Sequence, residues 1–289
     1  MRRLLAAVAM ICILLTGCYA ESHNAQIVAT TLPVFEFTSA LCKDTNISVA
    51  QLVTENVSCL HDYTLQVHQM QMLEDAQIIV TSGAGLDAFI TDVLPDKTLC
   101  VDASKDVTLL CADAHHDHNH DHHGDADPHI WLSPLNAKTM ADNIYNALLA
   151  SYPEYKTTFA ENLAQLHSEL DALYSYGNQE LEILSSRNCI TFHDGFAYLA
   201  DVFDLHILEA IEEESGSEAS AQEIIELISL IGAHNITAIF TERNGTASSA
   251  DILHNETGTP VYVLDMAMSG DSYFDAMYHN IRTLKEALK

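Results

Sequence analysis

A chain of 289 residues with 12 Lys+Arg against 41 Asp+Glu carries a formal charge of −29, which argues against nucleic acid and other anionic ligands and favours cations as partners. Its apolar content of 48% is that of a globular protein with a real core, and the length suffices for two domains of ordinary size.

The chain opens on Met1, Arg2 and Arg3, continues through an apolar run from Leu4 to Leu15, and then reads Thr16, Gly17, Cys18. Two positive charges, an apolar stretch short for a membrane span and small residues before a cut describe a secretory signal. The Leu15-to-Cys18 ending resembles a bacterial lipobox, which implies cleavage before Cys18 and lipid attachment there. The mature protein is then anchored on the outer face of the cytoplasmic membrane, or periplasmic, and residues 1–17 take no part in the fold. No later segment has the length and unbroken apolarity of a transmembrane helix.

From Gln26 onward strands and helices alternate. Ile27–Thr31 reads as a strand, Val34–Cys42 as a helix, Ile47–Val53 as a strand and Leu65–Glu74 as a helix. The apolar run Ala76–Val80 and the short segment Leu99–Val101 are further strands. Short all-apolar strands between helices predict a parallel sheet covered on both faces. Ser133 and Pro134 then supply an N-cap and a first helical residue. A second helix runs from Pro153 towards Ser185, with Leu163, Leu166, Leu170 and Leu173 at helical spacing. Gly177 is its weak point, where it can bend or break. Strands resume at Cys189–Phe192, Ile207–Leu208, Ala238–Thr241 and Val261–Leu264. Ser220 and Glu223 form a capping-box start for a helix through Ile231, and an amphipathic helix, Tyr273–Leu288, closes the chain. The fold class is α/β, with two similar parallel-sheet domains joined by a long helix. The expected divisions are a signal peptide (1–17), an N-terminal domain (18–134) carrying a His-rich loop (114–127), a linking helical segment (135–186) and a C-terminal domain (187–289).

Of the seven cysteines, Cys12 leaves with the signal and Cys18 is the lipid site. Outside the cytoplasm disulfides are permitted, and Cys42–Cys59 and Cys100–Cys111 are the natural local pairs, leaving Cys189 as a buried thiol. None lies in a C-x-x-C pattern, so a cysteine zinc site is not expected.

The metal signal is concentrated in imidazole. His115, His116, His118, His120, His122 and His123 alternate with aspartates in a low-complexity run that cannot build a core, a weak multivalent metal collector. Four further places set a candidate ligand after a strand or at a helix start: His61 before Tyr63, His129 between Asp127 and Trp131, His193 before Gly195, and Asp265 at the end of the last strand, with Asp271 nearby as its alternative. Ligands in open α/β sheets gather outside the carboxyl ends of strands. Two such residues from each half would place an ion in the cleft between them. Taken singly, a histidine beside an aspartate in a loop is as well read as a surface residue. His23, His68, His167, His206, His234, His254 and His279 lack any motif and are read as structural or surface.

In order and spacing, His61-Asp-Tyr63, Asp127-Pro-His129-Ile-Trp131-Leu-Ser-Pro134 behind the His-rich loop, Phe192-His193-Asp-Gly-Phe196, and the tail through Asp265, Gly270, Tyr273, Met277 and Asn280 resemble one family. It is that of the metal-binding solute-binding lipoproteins of bacterial zinc and manganese ABC importers (cluster A-I), over nearly all of the mature chain. Members often carry Glu-Pro where this chain has Thr64 and Leu65. The resemblance implies two (β/α) domains bridged by a rigid backbone helix, and one ion held by His61, His129, His193 and Asp265. It also implies a membrane permease with a cytoplasmic ATPase as partners, the protein acting as a monomer. Three imidazoles and one carboxylate suit Zn²⁺, and His193 stands where the manganese branch typically has a carboxylate. The competing readings are a manganese- or iron-binding member of the same family, a zinc-dependent hydrolase with Glu242 as base, and a surface adhesin. Against the hydrolase, no His-Glu-x-x-His, Gly-x-Ser-x-Gly or Walker motif is present.

Overall fold

The computed structural model describes residues 25–57, 60, 63–111, 126–212, 219–243 and 248–289. The first half builds a four-stranded parallel sheet from β1 (Ile27–Ala29), β2 (Val49–Gln51), β3 (Ile78–Thr81) and β4 (Leu99–Asp102), in the order β2-β1-β3-β4. Ile27 stands opposite both Val49 and Ile78, and Ile78 opposite Leu99. The second half repeats the order with β5 (Asn188–His193), β6 (His206–Glu212), β7 (Ile239–Glu242) and β8 (Val261–Leu264), arranged β6-β5-β7-β8, with one irregularity between Cys189 and Ile190. The expected α/β class with two similar parallel sheets is what the chain adopts.

The packing explains why the central strands are rich in apolar residues. Ile27, Ala29, Ile78 and Val80 face a core that reaches from one half into the other, while Val28 and Ile79 face a second cluster with Leu52, Leu73 and Ile90. In the second sheet Cys189 joins the central core, and Ile190 and Phe192 join an outer cluster with Ile224, Leu227 and Ile231. Both faces of the central strands β1, β3, β5 and β7 are covered, so successive residues along them are buried whichever face they point to.

The helices are α1 (Leu32–Leu41), α2 (Val67–Asp75), α3 (Pro134–Ser151), α4 (Lys156–Leu181), α5 (Ala197–Val202), α6 (Ala221–His234), α7 (Ser248–Thr257) and α8 (Tyr273–Leu288). Ser133 caps α3 by accepting from the Asn136 N–H at 3.4 Å, and Ser220 with Glu223 forms the expected reciprocal cap on α6. Gly177 does not break α4. A Cβ there would lie 2.3 Å from Cε1 of Phe203, so glycine is what lets that ring approach the helix. With Phe159, Leu166, Leu170, Leu173 and Leu181 buried, α4 and α3 line the central core between the sheets. Among the described residues no helix is long and apolar enough to cross a membrane.

One of the two expected cysteine pairs is corrected. Cys42, Cys100, Cys111 and Cys189 are free thiols, so the Cys100–Cys111 pair is not made; Cys59, and with it the expected Cys42–Cys59 pair, lies outside the described residues. After β4 the chain is drawn towards the second half, where the Tyr198 hydroxyl accepts from the Leu110 N–H at 2.9 Å and Cys111 bridges to Ala126. Cys100 stays in β4. Cys189 is buried, as expected, and burial pushes its thiol up to about 12. Residues 1–17, Cys18 and the loop histidines His115, His116, His118, His120, His122 and His123 also lie outside the described residues.

Candidate metal site

His193 is the last residue of β5, so the sheet itself carries its imidazole to the carboxyl edge where β5 and β7 leave in different directions. His129 reaches the same place from the first half, at the entry to a 3₁₀ turn, Ile130–Leu132, that precedes α3. The two rings meet edge to face, centroids 5.2 Å apart at 86°, and each residue is only 2% exposed.

The surroundings fix His129 in one orientation. Asp127 Oδ1 accepts from the His129 backbone N–H at 2.9 Å and lies 2.8 Å from ring Nδ1. A proton held on Nδ1 by that carboxylate leaves Nε2 with a lone pair, and Nε2 is buried with no hydrogen-bond partner among the described residues. This is the donor arrangement of a metal-ligating histidine, oriented through its other nitrogen. Gly195 serves the neighbouring ring: a Cβ there would lie 2.6 Å from Cδ2 of His193 and 2.6 Å from Cε of Met266.

Asp265 follows β8 and is buried. Its backbone is clamped by Asn280, whose Oδ1 accepts from the Asp265 N–H and whose Nδ2 donates to the Asp265 carbonyl, both at 2.7 Å. Its carboxylate is engaged at both oxygens, Oδ1 by the Ala267 N–H at 2.8 Å and Oδ2 by Arg243 Nε at 3.0 Å. The segment after it forms the seam with the first half. Met266 accepts from the Trp131 indole, Met268 from the Leu32 N–H, and the Ser269 hydroxyl donates to the Val57 carbonyl.

The fold thus brings His129 and His193 together, while Asp265 stands on the same seam but paired with Arg243. Among the described residues no group of three or more His, Cys, Asp or Glu gathers closely enough to hold an ion. His61 lies outside them, although its neighbour Leu60 is in the central core and Tyr63 is tied to Glu55 and Gln69 at 2.8 and 2.7 Å. Asp271 is exposed. Glu242 ends β7 and is buried. The ends of the His-rich loop are tied beside His129, since Asp127 N–H donates to the Leu110 carbonyl and the Tyr198 hydroxyl donates to the Asp127 carbonyl, each at 2.9 Å. Reading the sequence alone missed Arg243 and the orienting role of Asp127. The second had a signal, a carboxylate two residues before a candidate ligand.

Comparison with known proteins places the chain in a family. A family model for ZnuA, the periplasmic zinc-uptake complex component A, matches residues 27–287. A protein of Treponema pallidum (strain Nichols) named for binding metal is 31% identical over 254 residues, covering 83% of this chain and 80% of that one. The zinc-binding lipoprotein AdcA of Streptococcus pneumoniae (serotype 4) is 28% identical over 277 residues, covering 90% of this chain but only 55% of its own length, so the chain spans about half of that relative. The crystal structure of ZnuA superposes with a TM-score of 0.80 at 27% identity, over 92% of this chain and all of that one. The chain belongs to the ZnuA family, that of the zinc-uptake complex component A proteins.

Proposed function

We propose that this protein captures Zn²⁺ between its two sheets with His61, His129, His193 and Asp265, and delivers it to the membrane permease of an importer driven by a cytoplasmic ATPase. The observation that carries the reading is the buried pair of His129 and His193, with the Nε2 of His129 unpartnered among the described residues and its Nδ1 on the Asp127 carboxylate. Burying an acceptor without a partner costs about 1–3 kcal/mol, a cost that a bound cation reverses. Zinc rather than manganese is favoured by an imidazole at position 193 where a hard oxygen donor would suit manganese, and by the zinc named for AdcA. His61 is supported by its neighbours, which run along the seam through Val57 and Leu60. Asp265 is favoured over Asp271 by its burial and its clamped backbone.

Three imidazoles and a carboxylate fill a tetrahedron and leave no position for the water that catalytic zinc activates, so the protein is a carrier and not a hydrolase. It works as a monomer, exported and held by lipid at Cys18, with His115, His116, His118, His120, His122 and His123 gathering ions weakly ahead of the cleft. A zinc competition titration tests the site. His129→Ala and His193→Ala should weaken binding far more than His68→Ala or His234→Ala, both exposed. Equal effects across the four variants would overturn the assignment.

A further inference from the structure

Only 12 of the 289 side chains are Lys or Arg, and one of them sits on the candidate carboxylate ligand. The register explains why. Arg243 follows β7 directly, Asp265 follows β8 directly, and the two strands are neighbours in parallel, so the Arg243 N–H donates to the Leu264 carbonyl at 2.8 Å and the two side chains emerge side by side. Arg243 Nε then lies 3.0 Å from Asp265 Oδ2, with the arginine side chain 56% exposed and the aspartate side chain 12%. Oδ1 is already taken by the Ala267 N–H. A cation binding through Oδ2 must compete with a guanidinium that neutralises the carboxylate, while Oδ1 already accepts a backbone N–H.

We propose that Arg243 is a built-in competitor for the metal, holding the Asp265 carboxylate until a divalent cation displaces it and recapturing the carboxylate as the cation leaves. This rests on Asp265 being a ligand, as proposed above. A guanidinium stays charged at every physiological pH, so this competition, unlike that of protons at the imidazoles, does not vary with acidity. Its exposure lets it swing into solvent without disturbing the core. On the way out it spares a buried carboxylate from standing unpaired, the state that makes broken buried ion pairs costly. The device moderates affinity and hastens release, both of which a protein that must surrender its cargo needs.

Zinc affinity by chelator competition, and zinc release to excess chelator by stopped flow, decide the matter for wild type, Arg243→Gln, Asp265→Asn and the double variant. A partly exposed pair of this kind is a weak one, so Arg243→Gln should bind zinc about two- to fivefold more tightly and release it correspondingly more slowly. Unchanged or weaker binding would overturn the proposal. In the Asp265→Asn background the same substitution should have little effect. A full tightening that persists there would also overturn it, because Arg243 would then be acting as bulk charge. If Asp265→Asn binds zinc like wild type, it is the assignment of Asp265 as a ligand that has failed.

Discussion

Trp131 donates its indole N–H to the carbonyl oxygen of Met266 at 2.7 Å, joining the residue two positions after His129 to the residue one position after Asp265. The Tyr273 hydroxyl completes the junction by donating to the Trp131 carbonyl at 2.8 Å, and Trp131 and Tyr273 are fully buried. One aromatic side chain therefore sets the relative position of two candidate ligands from opposite halves.

Trp131→Phe should remove that donor and leave the Met266 carbonyl buried and unsatisfied beside a small void. The two effects together predict a loss of about 2–4 kcal/mol in stability. Denaturant melts of the two proteins would measure it, and a change below about 1 kcal/mol would mean water replaces the indole.

Asp127→Asn keeps an oxygen for the His129 N–H but removes the charge that orients the ring and makes it a stronger donor. Partners of metal-bound histidines typically carry about 10- to 100-fold in affinity, so zinc binding should weaken by at least tenfold with the melting temperature little changed. Competition titration alongside thermal melting separates the two; equal loss of both would reduce Asp127 to a structural cap.

Gly195→Ala introduces a methyl group against the ring of His193 and the end of Met266. Met266 can rotate away, whereas the imidazole must shift, and overpacking of this kind costs about 1–3 kcal/mol. Zinc affinity should fall by more than the loss of stability accounts for. Wild-type affinity in the variant would place the metal contact elsewhere.

Asp87 gives a pH signature unrelated to the metal. Burial pushes its carboxyl up to about 6, opposed by donation from the Gly83 N–H at 2.7 Å. A folded value above the unfolded one means its contribution to stability is complete below about pH 4 and is lost as pH rises towards 6. Relative to Asp87→Asn, wild type should lose on the order of 2–3 kcal/mol across that window. Parallel stability curves for the two proteins from pH 4 to 7 would refute the assignment.

Much of this was legible from residue pattern because it rests on local chemistry. Ser133 with Pro134, Ser220 with Glu223, and the amphipathic run Tyr273–Leu288 each begin or span a helix where expected. What escaped detection is instructive. Helix α7, with only Leu253 as a large buried apolar residue, has too faint a stripe to read, and α5 spans six residues. Spacing suggested a bond between Cys100 and Cys111, but the path between them is set by Tyr198, 88 positions from Leu110, which no local pattern reveals. Arg243 was invisible for the same reason, since its partner is supplied by the register of β7 on β8. Gly177 was read as a weakness from helix propensity alone, whereas its role is to admit Phe203.

The shared interior has a consequence for how the molecule comes apart. Ile27 beneath the first sheet, Trp131 at the seam, Leu173 on α4 and Leu284 on α8 belong to one continuous apolar body. Neither half can shed its partner without exposing part of it, so the two sheets are thermally inseparable. Heating should produce one endotherm whose van't Hoff and calorimetric enthalpies agree, and a fragment carrying either sheet alone should fail to hold a native structure.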